Sequence, residues 1–111
     1  MEDIREFEIE LELKDGARRK YKYKTVHGGT TRAKITSRKA GGEKTVDRDE
    51  RTVQEVEKLI AQMRISKDMS EDQLLETACS ALQLRKEDVE HLDVEVEFAD
   101  GTEIKAERSK S

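Results

Sequence analysis

The chain has 111 residues, of which 43% are charged and 33% hydrophobic, with neither Trp nor Pro, a formal net charge of −4 and a pI near 5.3. That length suits one domain, residues 1–111, with a modest core, and the acidic balance argues against a general binder of nucleic acid or of anionic membrane. A lone cysteine, Cys79, excludes an intrachain disulfide and a Cys-rich metal site, and no apolar run is long enough to span a membrane.

The first segment, about 4–13, alternates Phe7, Ile9, Leu11 and Leu13 with Glu6, Glu8, Glu10 and Glu12. A period of two with one wet and one dry face predicts an antiparallel strand. The next, about 18–26, alternates Tyr21 and Tyr23 with Lys20, Lys22 and Lys24. A two-residue Asp15-Gly16 turn would set Leu11 against Lys20 and mix the faces. A three-residue turn, Lys14-Asp15-Gly16, pairs Ile9 with Tyr21, Phe7 with Tyr23, Glu10 with Lys20 and Glu8 with Lys22. That register keeps both faces consistent and puts Gly16 at the left-handed position of a G1 bulge. A turn His27-Gly28-Gly29 leads into a third strand, about 30–37, pairing Tyr23 with Ala33 and Tyr21 with Ile35. "KAGGEK" reads as a flexible connection.

From Glu50 the apolar period becomes helical. Val53, Val56, Ile60 and Met63, with Leu59 beside them, predict a helix over about 50–64, capped by Asp47 or Asp49. Ser70 and Gln73 have capping-box spacing at the head of a second helix, about 70–84, whose dry stripe is Leu74, Leu75, Ala78, Cys79 and Leu82. The chain closes with strands at about 92–98 and 102–107. A turn Ala99-Asp100-Gly101 pairs Val96 with Ile104 and Glu95 with Lys105, so the Asp-Gly device of the first hairpin is used twice.

Elements with one apolar face each make an α+β two-layer sandwich: a five-stranded antiparallel sheet with both helices on one side. Placing the third strand at one edge, then the second, first, fourth and fifth, centres the most apolar strand. That order sets Glu8, Glu10 and Glu12 beside Asp93, Glu95 and Glu97, a like-charge cost. The sequential order would set those acids beside Arg32 and Lys34 instead.

These features resemble the YusW-like family of small bacterial proteins. The points of likeness are an acidic strand closing on Asp-Gly, a helical middle, and "LQL" followed by "LDVEVEFADGTEI". The similarity runs from about Ile4 to Glu107. The resemblance implies no assigned activity, and members are typically exported and lipid-anchored. This chain departs from that pattern, since "MEDIREFEIE" is neither a signal sequence nor a lipidation motif. As it stands the chain is expected to be cytoplasmic; with a leader removed it would be extracytoplasmic and membrane-anchored.

No catalytic constellation, metal set or cofactor motif emerges. His27 and His91 stand apart on separate loops and read as surface residues. Cys79 lies on an apolar stripe and reads as an inert buried thiol. "HGGTT" feeds a strand rather than a helix and reads as a hairpin turn, not a phosphate cradle. The alternating acids lack the cleft that splits a catalytic pair, and read as solvated charge.

The basic run is less ordinary. Between Asp15 and Glu43 lie nine bases and no acid. Those at 18–24 can pair with the first strand's acids, which leaves Arg32, Lys34, Arg38 and Lys39 uncommitted. The expected function is a non-enzymatic protein- or peptide-interaction domain, monomeric or weakly dimeric. The alternative is a weak nucleic-acid or polyanion binder through residues 18–39.

Overall fold

The sheet follows from the strand period and two twin turns. The structure is a computed structural model that describes residues 4–26 and 29–109. Strands β1 (Ile4–Leu13) and β2 (Arg18–Val26) pair antiparallel in the register derived above, Ile9 opposite Tyr21 and Glu8 opposite Lys22. At the turn the Asp15 carboxylate accepts from the Ala17 N–H at 2.9 Å, the Gly16 N–H donates to the Leu13 carbonyl, and Gly16 has φ 93°. The last hairpin repeats this. The Asp100 carboxylate accepts from the Thr102 N–H at 2.9 Å, the Gly101 N–H donates to the Phe98 carbonyl, and Gly101 has φ 90°. Side-chain acceptance by Asp and a left-handed Gly are what a three-residue bulge turn requires.

β3 (Thr30–Arg38) pairs with β2, Tyr23 opposite Ala33 and Tyr21 opposite Ile35, as the period demands. His27 and Gly28 of the intervening turn lie outside the described residues. The connection after β3 is not the flexible link that its glycines suggest. It turns back through Gly41, at φ 67°, into a short edge strand β4 (Lys44–Asp47) paired with β3. The sheet therefore has six strands rather than five, in the order β4-β3-β2-β1-β5-β6, where β5 is Val89–Phe98 and β6 is Glu103–Ser109. Four exposed residues with no apolar face give no periodic signal, and β4 forms because the turn delivers it to the free edge of β3.

Helix α1 (Glu50–Met63) is capped by Asp49, whose carboxylate accepts from both the N–H and the hydroxyl of Thr52 at 3.0 Å. Asp47 is drawn into β4 and takes no part in the cap. The buried stripe is Thr52, Val56, Leu59 and Met63, while Val53 and Ile60 are only half-buried. The helix is thus rolled by well under one residue: Val56, Leu59 and Met63 of the predicted stripe stay buried, and Thr52 joins them in place of Val53 and Ile60. The cap explains the roll: it satisfies the Thr52 hydroxyl and allows that polar side chain to be 2% exposed.

Helix α2 (Glu71–Ala81) has the predicted capping box, Ser70 accepting from the Gln73 N–H and Gln73 accepting from the Ser70 N–H. It ends at Ala81 rather than near residue 84, because Gln83 adopts a left-handed φ of 57°. Leu82 consequently falls off the stripe and is half-buried. A single 3₁₀ turn, Lys86–Asp88, then feeds β5 (Val89–Phe98), which starts three residues earlier than expected because Val89 pairs with Leu13. β6 (Glu103–Ser109) completes the sheet.

Both helices lie on one face, α1 against β2 and β3, α2 against β5 and β6. They cover Phe7, Ile9, Leu11, Val94, Val96 and Phe98, all at most 3% exposed. The Thr77 hydroxyl donates to the Met63 carbonyl at 2.7 Å and ties α2 to the end of α1. Cys79 belongs to this core, and burial pushes its thiol above the ordinary value. It should react slowly with a thiol reagent in native buffer and quickly in denaturant, which a colorimetric thiol assay checks. Equal rates would place α2 in another rotation.

Candidate functional site

The other face of the sheet carries no helix, and its side chains form columns of charge. Directly opposed residues of neighbouring strands share a face, so the register fixes the composition of this surface. β3 presents Arg32, Lys34 and Arg38, and β2 presents Arg18, Lys20, Lys22 and Lys24. β1 presents Glu6, Glu8, Glu10 and Glu12. β5 presents Asp93, Glu95 and Glu97 with His91, and β6 presents Glu103, Lys105 and Glu107. The edge strand β4 adds Lys44, opposite Arg38. One half of the face is basic and the other acidic, with the boundary between β2 and β1.

At that boundary three of the four β2 bases are paired, and Lys22 makes no ion pair among the described residues. Lys20 bridges Glu10 at 2.8 Å and Glu8 at 3.2 Å, Arg18 reaches Glu12 and Lys24 reaches Glu6, both at 3.5 Å. Hydrogen bonds from Lys20 hold the Glu10 carboxyl below its ordinary value, and those to Glu10 and Glu8 raise the Lys20 ammonium. Away from the boundary, like faces like. Lys22 opposes Lys34, and Lys24 opposes Arg32. Glu8 opposes Glu95, and Glu10 opposes Asp93. The like-charge cost that the sequence raised against this strand order is therefore present. It is relieved locally, by Lys105 opposite Glu95 and by Arg5, which stands at a bulge in β1 and pairs with Glu97.

Of the four candidate bases, Arg32, Lys34 and Arg38 lie together on β3, whereas Lys39 sits in the turn that follows and stands apart from that column. None of the four makes an ion pair among the described residues. Two bases that sequence reading missed join them, Lys44 on β4 and Arg48 just beyond it. The Arg48 guanidinium, with Lys44 and Lys22, holds the Lys34 ammonium below its ordinary value. No periodic signal in the sequence marks them, since all four residues of β4 are exposed and Arg48 lies beyond the strand.

On the acidic half the strands bring together His91, Asp93 and Glu107, whose ligand atoms all lie within 4.8 Å of one another. These three could hold a divalent cation through one nitrogen and two carboxylates. The His91 Nδ1 already lies 2.7 Å from the Ser109 hydroxyl. The hairpin register derived from the sequence already opposes Asp93 to Glu107; what it did not place is His91, which joins them because β5 begins at Val89 rather than near residue 92. Burial first, then Glu107 and Glu10, push the Asp93 carboxyl above its ordinary value of 3.8. A raised carboxyl means that the folded state holds the proton more tightly than the unfolded state. Its ionised form therefore costs stability at neutral pH, and that cost disappears as the pH falls below 3.8. Asp93→Asn should raise the thermal midpoint at pH 7 and leave it unchanged near pH 3, which scanning calorimetry at both pH values checks.

A cavity of about 800 Å³ is lined by Lys22, Arg32, Lys34, Arg48, Glu8 and Glu95 of this face, and extends to Asp49 and Val53 at the start of α1. Both tyrosines project to the helix-covered side, opposite Phe7 and Ile9. No helix among the described residues is long and apolar enough to cross a membrane.

Fold and surface together define a class: an α+β sandwich with one face of its antiparallel sheet sealed by two helices and the other left as an open, charge-segregated platform. The family model described as YusW-like protein matches residues 5–100, and the chain belongs to the YusW-like family. No curated protein and no solved structure matches it.

Proposed function

We propose that this protein is a non-enzymatic interaction domain that engages a protein or peptide partner through the open face of its sheet. The observation that carries this reading is charge segregation. A sheet arranged for stability sets opposite charges across its strand pairs, since like charges directly opposed cost stability. Here both flanking ladders, β2–β3 and β1–β5, oppose like with like. Local rules are broken in this way where a surface serves something other than the fold. Such a face is complementary to a partner that carries a block of each sign, and electrostatic complementarity of this kind supplies register and association rate.

A specific observation favours a second reading, weak binding of polyanions. Arg32, Lys34 and Arg38 are free of ion pairs among the described residues, with Lys44 and Arg48 nearby. Against it stand the acidic half of the same face and the placement of both tyrosines away from it, which removes base stacking. Non-specific binders reach about 10⁻⁴–10⁻⁶ M at physiological salt, with affinity set by the phosphates neutralised. Six uncommitted bases, Lys22 included, beside an acidic ridge should fall at the weak end of that range.

A titration separates the readings. The probes are a peptide with a lysine block followed by a glutamate block, the two uniform peptides, and duplex DNA. The block peptide should bind most tightly, with an affinity that falls as salt rises, and DNA should show no significant binding at physiological ionic strength. Micromolar DNA binding abolished by Arg32→Glu with Lys34→Glu would overturn the interaction reading in favour of the second.

A further inference from the structure

The charge on the open face is antisymmetric about the β2–β1 seam, strand by strand. Outward on the basic side, β2 carries +4, β3 +3 and β4 +1. Outward on the acidic side, β1 carries −4, β5 −3 with His91 neutral, and β6 −1. These ladder residues sum to zero; Arg5, paired with Glu97 on the acidic side, and Arg48, beside Lys34 on the basic side, add two positive charges outside the ladders, and the seam lies at the middle of the six strands.

We infer that the partner this face fits is a second copy of the chain, stacked face to face about a two-fold axis along the seam. This rests on the reading of the open face as an interaction surface. A two-fold parallel to the strands reverses their order in the partner, so β2 lies over the partner's β1, β3 over its β5 and β4 over its β6. Each strand then meets one of equal and opposite charge. A two-fold perpendicular to the strands would instead set base over base. Residues in one row across the sheet stay in one row, because the axis preserves position along the strand. Lys34, Lys22, Glu8 and Glu95 form one such row. Lys34 therefore faces the partner's Glu95, and by the same rule Arg32 faces the partner's Glu97. The contact is isologous and closes on itself, as dimer interfaces do.

The shape admits it. The molecule measures 40 × 32 × 19 Å, a slab whose broad side offers more than the roughly 800 Å² per partner of a standard interface. Sheets stacked face to face keep their strands within about 30° of one another, so an axis near the seam retains the strand-over-strand match. The contacts are charged and solvated at their rims, so the dimer is salt-sensitive. Screening length falls from about 30 Å at 0.01 M salt to about 3 Å at 1 M.

The test is sedimentation of the whole chain across a dilution series, with two charge-reversed variants. One is Arg32→Glu with Lys34→Glu, the other Glu95→Lys with Glu97→Lys. The wild type should dimerise at about 0.01 M salt, with the dissociation constant rising tenfold or more by about 1 M. Each variant alone faces like charge and should be monomeric. An equimolar mixture should form a heterodimer tighter than the wild-type dimer, because one face has become acidic and the other basic. Far-UV circular dichroism establishes that both variants are folded. A wild type monomeric at low salt, a mixture that stays monomeric, or a wild-type dimer that neither variant weakens would each overturn the inference. If the wild type stays monomeric while the block peptide binds, the second-copy inference fails and the interaction reading stands. If neither associates, that reading fails as well.

Discussion

Replacing Phe7 with alanine should lower the unfolding free energy by about 3–5 kcal/mol, the usual cost of removing a buried aromatic ring. Phe7 lies on β1, the strand with β2 on one side and β5 on the other, and is 2% exposed. A chain of this size has a total stability of about 5–15 kcal/mol, so this one change removes a large share of it. Urea unfolding should show a lower midpoint with an unchanged slope. The same experiment on α1 tests the rolled stripe. Leu59→Ala, at a 6% exposed position, should cost about 2–5 kcal/mol, and Ile60→Ala, half-buried, markedly less. Equal costs would restore the stripe that the apolar spacing alone suggests.

Replacing Gly101 with valine should cost about 1–2 kcal/mol, the scale of strain for a β-branched residue held at positive φ. The space around Gly101 is open, so the cost there is backbone strain alone. Gly16→Val should cost more, since a Cβ at Gly16 would stand 3.3 Å from the Ala40 Cβ. The difference between the two midpoints therefore measures the contact made by the turn after β3. A Gly101→Val protein with the wild-type midpoint would contradict the bulge-turn assignment.

The parts of the fold that a short-range rule determines were legible in the chain. Only one turn length keeps Ile9 with Tyr21 and Glu10 with Lys20 on consistent faces, so the register of both Asp-Gly hairpins could be derived before any coordinates. The strand order stood between two alternatives, burial of Phe7, Ile9 and Leu11 favouring one and charge the other, and the fold takes the one that burial favours. What the chain hid depends on long-range delivery. β4 exists because a turn brings Lys44–Asp47 to an open edge. The roll of α1 depends on Thr52 being satisfied by Asp49, and a polar residue gives no apolar signal. Of the candidate surface, the column Arg32, Lys34 and Arg38 was legible from its alternation. Lys39 lies just beyond the third strand, and Lys44 and Arg48 were hidden with β4. The segregation of charge was visible as a basic run in the sequence, but its antisymmetry needs all five ladders of the sheet.

We propose the uncovered face of the sheet, rather than the helical side, as the place where this protein binds. The measurement that bears most directly on it follows the backbone amide resonances of isotope-labelled protein as the block peptide is added at low ionic strength. Shifts should concentrate on Lys22, Lys34, Glu8 and Glu95 along the middle of the face, with Glu57, Lys58, Glu76 and Ser80 on the exposed sides of the helices unmoved. Shifts confined to those helical positions, with the strands silent, would contradict it.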